Sequence, residues 1–316
     1  MRILIIGGTG FIGSYITRYL LSLNYEVILF NRGKNPLFKD VLQINGSKEE
    51  LNLFTNQLIN LRPDAIIHTI AYTERDALQI LTLLKNVSQR LILLSSADVY
   101  DAYLSFKNGL KEHNLILNEN SLLRSSFFPY RVESNYIEDL EMKDLYFNYD
   151  KIIVENTIKE QNLDYTIFRL AAVYGPNDPQ RKLQKYIDDV LRGKDQIMNN
   201  DQLNWRWTRI YVENIPPAIH MALNNKKSSR EIYNLGELKA QSQSEIYTLI
   251  KGLVKKDSDT VLENMLATLN ENKFNYKQHL IMDSSKIRDE LGYKEIIEPE
   301  LALVKTIKTS PLISKK

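Results

Sequence analysis

Through its first half the chain alternates short, unbroken apolar runs with longer stretches whose apolar positions recur every three or four residues. Residues 3–6, 26–30, 41–44, 64–69 and 90–94 read as strands, and 11–23, 48–61 and 74–87 as helices between them. Strands without apolar–polar alternation are covered on both faces. Helices between successive strands supply that cover, so the pattern predicts a parallel sheet with right-handed crossovers. From 101 to 145 the periodicity is lost in a polar and aromatic stretch containing Ser125-Ser126-Phe127-Phe128-Pro129-Tyr130. A connection that long inside a compact domain usually serves function, and this one is expected to close one side of a substrate cleft. A helix over 149–161 and a strand over 164–170 resume the pattern, and after Tyr174-Gly175-Pro176 the composition shifts. The expected fold is α/β: a doubly wound parallel sheet in residues 1–174, rejoined by 210–212 and 232–234 within 209–236, and a smaller C-terminal α/β substrate lobe from 175–208 and 237–316.

Lys and Arg total 41 against 39 Asp and Glu, a formal charge of +2. That balance disfavours a nucleic-acid partner, which calls for a concentrated basic excess. The pairs Lys226-Lys227 and Lys255-Lys256 read as solvated helix ends, and 313–316 as a frayed tail. With no cysteine, disulfides, thiolate metal sites and a thiol nucleophile are excluded. The four histidines, at 68, 113, 220 and 279, lack metal-ligand spacing, so no metal is expected; His68, in an apolar strand, reads as a core residue. The apolar run at the start is too short for a signal peptide, and no stretch reaches the ~20 apolar residues of a membrane span. The expectation is a cytoplasmic protein without membrane contact.

Chemistry enters at Gly7-Gly8-Thr9-Gly10-Phe11-Ile12-Gly13, between the first strand and the first helix. Glycines there allow a tight turn and close approach of backbone to a pyrophosphate, and the helix N-terminus offers N–H groups to the anion. This is the dinucleotide turn of a Rossmann sheet. At the end of the second strand, where an acid would bind the ribose 2′-hydroxyl, stands Asn31-Arg32-Gly33-Lys34. A guanidinium can pair with a 2′-phosphate, so NADP(H) is favoured over NAD(H). Thr69, Ile70 and Ala71 end the fourth strand, at the edge that lines the ligand crevice.

With this turn, Asn31-Arg32-Gly33, Leu94-Ser95-Ser96-Ala97-Asp98-Val99-Tyr100, Arg169-Leu170-Ala171-Ala172-Val173-Tyr174-Gly175-Pro176, Trp205-Arg206-Trp207-Thr208-Arg209 and Tyr211-Val212-Glu213-Asn214, the chain resembles the short-chain dehydrogenase/reductase superfamily. More narrowly, it resembles atypical members of the NAD-dependent epimerase/dehydratase group, from residue 1 to about 237, with a familiar echo in 283–293. The resemblance implies a Ser/Thr after the fifth strand and a Tyr-x-x-x-Lys on the next helix for proton chemistry. Ser96 and Lys151 stand in the matching places, Lys151 to bind the nicotinamide ribose. It also implies that Ala172 and Val173 approach the carboxamide. Arg206 and Arg209, among Trp205, Trp207 and Tyr211, either clamp a substrate phosphate or form aromatic–arginine packing.

The tyrosine departs from the pattern: four residues before Lys151 stands Phe147. Tyr146 and Tyr149 flank it. At ~100° per residue both lie on the wrong face of a helix running through 149–161, unless a later helix start frees Tyr146 to swing inward. The sequence leaves three readings. The first is an NAD(P)-dependent epimerase, dehydratase or reductase acting on a hydroxyl- or carbonyl-bearing small molecule, possibly a nucleotide sugar. The second is a dinucleotide-binding sensor or scaffold without catalysis, and the third an RNA-binding relative. A homodimer is expected by family analogy.

Overall fold

The unbroken apolar runs become strands whose alternate residues feed two cores. In the computed structural model, which describes residues 1–33, 38–88, 90–109, 116–194, 198–254 and 274–313, these strands are β1 (Arg2–Ile6), β2 (Glu26–Asn31), β3 (Leu42–Asn45), β4 (Ala65–His68), β5 (Arg90–Ser96) and β6 (Asp164–Leu170). β7 (Ala172–Tyr174), β8 (Arg209–Tyr211) and β9 (Glu231–Leu235) follow. Lys34, His113, Lys255-Lys256 and residues 314–316 lie outside the described residues. The main sheet is seven-stranded and parallel, in the order β3-β2-β1-β4-β5-β6-β9. Connections step outward one way from β1 and the other way from β4, which opens a crevice at the carboxyl ends of those strands.

Ile3, Ile5, Leu29, Ile67, Ile92 and Phe168 pack on one face beneath α1 (Phe11–Ser22). Leu4, Ile6, Ile28, Ile66, Leu93 and Ile167 pack on the other beneath α2 (Thr55–Leu61) and α3 (Glu74–Asn86). Both side-chain sets are buried, so the sequence shows no alternation.

The described residues of 101–145 are not irregular as expected. They hold α4 (Asp101–Asn108), α5 (Arg131–Ser134) and most of α6 (Leu140–Asn148). No residue of α6 is buried, so it carries no apolar stripe that periodicity could reveal. α7 spans Lys151–Lys159 and starts two residues later than expected, because Asp150 caps it by accepting from Ile152 and Ile153 N–H at 2.9 and 3.3 Å. After it come α8 (Gln184–Leu191), α9 (Asn200–Asn204), α10 (Ile215–Asn224), α11 (Gln243–Val254), α12 (Ser285–Leu291) and α13 (Pro299–Lys308). α10 joins α1 on the first sheet face.

Of the two late segments expected to rejoin the sheet, only 232–234 does so, within β9. Segment 210–212 does not: β8 pairs in parallel with β7 in a separate two-stranded sheet, Ala172 opposite Arg209. β9 already occupies the place beside β6, and β8 takes the extension of the chain beyond Ala171 instead. Among the described residues, no helix is long and apolar enough to cross a membrane.

Candidate functional site

At the crevice the glycine turn is shaped by contact. Gly7 has φ +85°, and a Cβ on Gly13 would lie 2.1 Å from the Gly7 carbonyl oxygen, so the helix rests directly on the turn. Thr69 Oγ1 donates to Ile6 O at 3.0 Å and Gly7 O at 3.2 Å, fastening the end of β4 to the same turn. Ile70 is half-buried and Ala71 buried beside it. α1 begins after Gly10 with no side-chain cap and no acid in its first turn, so its positive end is not neutralised from within. Gly10 is exposed, Thr9, Phe11 and Ile12 are half-buried, and Gly8 packs under the turn. A cradle of this shape fits a dinucleotide pyrophosphate.

Beyond β2, Asn31 is buried and turned inward: its Oδ1 accepts from Gly33 N–H at 2.7 Å and its Nδ2 donates to Gln43 at 3.2 Å. Arg32 is exposed and already shared, its Nη1 lying 2.5 Å from Glu141 Oε1 of α6.

β5 delivers Ser96 half-buried, with its Oγ accepting from Asp98 N–H at 3.2 Å. α7 delivers Lys151, whose Nζ donates to Ala71 O at 2.5 Å and Leu94 O at 2.9 Å and lies 4.6 Å from the centre of the Tyr72 ring. Burial lowers this ammonium's pKa to about 8 against the pull of Asp98 and Asp76. Glu155, one turn on, is a structural member: it accepts from Ser95 Oγ at 2.6 Å and pairs with Arg169 at 2.7 Å.

The tyrosine expectation needs correction. Because α7 starts at Lys151, Tyr149 lies outside the helix in extended backbone, and the turn-angle argument does not apply to it. Its ring stacks on Tyr72 with centroids 5.9 Å apart, and its hydroxyl donates to Asp98 Oδ2 at 2.8 Å. Tyr146 remains on α6 with its ring 5.8 Å from that of Tyr130. Phe147 is exposed under the Arg131 guanidinium at 4.4 Å. The structure therefore links Ser96, Asp98 and Tyr149 by contact and sets Lys151 against the same Tyr72 ring. Asp98, Tyr130 and Tyr72 were missed from sequence; an aspartate two residues after Ser96, between the apolar Ala97 and Val99, was the available signal.

Arg206 and Arg209 part company. Arg206 is tied to Glu245 at 3.0 Å and Ala240 O at 2.9 Å, while Trp205 beside it is buried. Both are packing. Arg209 is buried with no carboxylate partner among the described residues: it makes bonds of 3.2 to 3.4 Å to Trp207 O, Gln241 O and Gln243, and its Nε has none. Burial lowers its pKa, opposed by Tyr186, Glu237 and Tyr174. Burial also brings Glu237, which accepts from Tyr174 at 3.0 Å, up to about 7. Ala172 and Val173 lie buried in β7, alongside Arg209 and Ile210. A cavity of about 390 Å³ opens past β7, between Tyr174, Lys182 and Thr306, but none of the residues above except Tyr174 lines it. Among the described residues, no cluster of His, Asp and Glu suits a metal ion.

With that geometry in place, comparisons with known proteins are informative. A model described as the NAD dependent epimerase/dehydratase family matches residues 3–115 and 149–236. The chain is 23% identical over 321 residues to the chloroplast stem-loop binding protein of 41 kDa b of Arabidopsis thaliana, covering 98% of this chain and 78% of that one. Its fold matches the UDP-glucose 4-epimerase of Thermotoga maritima solved with UDP-glucose, at TM-score 0.70 and 21% identity over 98% of each chain. It matches the UDP-glucose 4-epimerase of Thermus thermophilus in complex with NAD at TM-score 0.70 and 17% identity, again over 98% of each. The chain belongs to the NAD dependent epimerase/dehydratase family.

Proposed function

We propose that this protein is a nicotinamide-dinucleotide-dependent enzyme acting on a hydroxyl- or carbonyl-bearing small molecule of the nucleotide-sugar type. The observation that carries the reading is the convergence, at one sheet edge, of the glycine turn after β1, the buried Lys151 ammonium and Ser96 with Tyr149 close by. In this reading the turn from Gly7 to Gly13 holds the pyrophosphate and Ala172-Val173 faces the carboxamide. Lys151 holds the ribose, Ser96 Oγ the substrate oxygen, and Tyr149 handles the proton. The nicotinamide, when bound, exchanges a hydride with the substrate carbon. Arg209, a buried cation without an acid partner among the described residues, suits an anionic group of the substrate, and residues 175–208 with 237–316 form the substrate-binding lobe.

For the coenzyme we keep NADP(H) ahead of NAD(H) on the strength of Arg32, with Glu141 as the group a 2′-phosphate has to displace. Fluorescence titration with NADH and NADPH, followed by turnover on a panel of nucleotide sugars, tests the reading. Lys151→Met should weaken dinucleotide binding at least ~10-fold. Ser96→Ala should leave binding intact and lower turnover by about 10²-fold. Glu141→Gln should tighten NADPH and leave NADH unchanged. A wild-type protein that binds neither coenzyme overturns the proposal. The stem-loop-binding relative supports RNA binding as the second reading; a stem-loop RNA held with steep salt dependence, and no coenzyme, would favour it.

A further inference from the structure

Phe147 removes the phenol that the family places four residues before its lysine, so a proton must be handled by something else. The described residues offer one candidate group. Asp98 is 7% exposed, and among those residues its carboxylate makes no ion pair. Its Oδ2 accepts two phenolic hydrogen bonds, from Tyr149 at 2.8 Å and Tyr130 at 3.1 Å. Its Oδ1 is buried with no hydrogen-bond partner among them.

The nearest cation is committed elsewhere. Arg124 spends Nη1 and Nη2 on Asp150 at 3.1 and 2.7 Å and Nη1 also on Ser126 O, and its Nε reaches only the main-chain oxygen of Asp98. Burying a carboxylate with no ion pair and one oxygen unpartnered costs stability. Such groups gather where chemistry needs them.

We infer that Tyr149 and Asp98 form the acid–base pair of this site, Tyr149 meeting the substrate hydroxyl and Asp98 taking the proton behind it. The inference rests on the coenzyme-dependent reading above. Asp98 is enclosed, whereas Tyr149 is half-buried, so of the two Tyr149 is the one placed to meet a substrate. Because its O–H is donated to Asp98, the Tyr149 oxygen keeps a lone pair free to accept, the arrangement of a base. In the oxidation direction, the alcohol C–H bond breaks and its hydride passes to the oxidised nicotinamide dinucleotide. The alcohol proton passes to Tyr149 Oη as the phenolic proton passes to Asp98 Oδ2. The products are a carbonyl, reduced coenzyme, neutral Tyr149 and protonated Asp98; reduction runs the same transfers backwards.

No standing phenolate is needed, which suits a tyrosine held well above its ordinary pKa by burial and by Asp98. Asp98 itself is raised by burial, against Arg124 from the loop after α4, Tyr149, Lys151 of α7 and Tyr130. Tyr103 of α4 also faces it. A raised carboxyl is the better match to a proton cycled near neutrality.

The full chain labelled at the aspartate carboxyl carbon, free of coenzyme, provides a readout independent of turnover. By NMR one carboxyl, missing from Asp98→Asn, should titrate above the other aspartates, and Tyr149→Phe should move it higher still, because the phenol's hydrogen bond favours the ionised form. In turnover, Asp98→Asn should lower kcat about 10²-fold with coenzyme affinity within twofold of wild type. Asp98→Glu should restore part of the rate with a shifted acidic limb of the pH profile. Should Asp98→Asn fail to fold, Tyr149→Phe carries both measurements. A carboxyl that ignores Tyr149→Phe, or an Asp98→Asn enzyme with unchanged kcat and pH profile, overturns the relay while the functional reading stands. A wild-type protein that binds neither coenzyme overturns both.

Discussion

Two buried titratable residues, His68 and Glu237, pull the stability of this protein in opposite directions. His68 is pushed down to about 3 by burial; its Nδ1 accepts from Ile70 N–H at 3.3 Å, so the neutral ring is the one that fits. Unfolded, it protonates near 6.5, so its contribution is complete above that pH and is lost as pH falls toward 3. Glu237 is raised to about 7 from 4.5, so its contribution is complete below 4.5 and is lost as pH rises through 7. Between about 4.5 and 6.5 the two slopes offset each other. From these two groups together, the denaturant midpoint of wild type gains little net slope across that window. The midpoint should rise with falling pH in His68→Leu and fall in Glu237→Gln. Parallel curves for all three proteins would count against both assignments. His68 as a core residue was legible from its apolar neighbours, because a strand buried on both faces leaves a lone imidazole few alternatives. Glu237 was not, since its partner Tyr174 is 63 residues away in sequence.

Among elements, α7 depends most on one side chain. Asp150 caps its first turn, receives both ends of the buried Arg124 fork and accepts from Phe128 N–H at 2.7 Å. Asp150→Ala removes the cap and leaves a buried guanidinium unpaired. The expected loss is about 3–5 kcal/mol, read as a drop in the unfolding midpoint. Dinucleotide affinity should fall with it, because Lys151 is the first residue of the helix that Asp150 starts. Asp150→Asn, which keeps the cap but not the charge, should fall between. The cap explains why Tyr149 was misplaced from sequence: a start moved by two residues turns a phenol from the wrong helix face into a neighbour of Asp98. An aspartate followed by an apolar run was a visible start signal. The strands and α3 were readable because burial imprinted their spacing on the sequence, whereas α6, with nothing buried, left no imprint.

At the scale of the whole molecule, Trp205 ties distant parts of the chain together. Its ring stacks on Phe106 of α4 at 4.7 Å and meets Tyr276 at 5.6 Å, and its Nε1 donates to Gln278 O at 2.8 Å. Trp205→Ala should cost about 3–5 kcal/mol by denaturant unfolding. With the proposed lobe assignment, it should weaken substrate binding while leaving coenzyme affinity near wild type. Equal loss of both would argue against a separate substrate lobe. The crossover pattern and the crevice at β1 and β4 followed from the order of apolar runs. The pairing of β7 with β8 did not, since a three-residue strand has too few positions to declare its partner. One further consequence lies in Asp150. Arg124 and Asp150 bracket the excursion that carries α5 and α6, which falls within the interval 116–148 that the family model skips. Length added within it costs little, since doubling the excursion adds only ~0.6 kcal/mol of closure entropy, although the ion pairs of Arg32 with Glu141 and Lys107 with Glu133 also hold it to the rest of the chain. Residues added to this excursion leave the lysine at its far end in place, so long as Tyr130 and Tyr149 keep their bonds to Asp98.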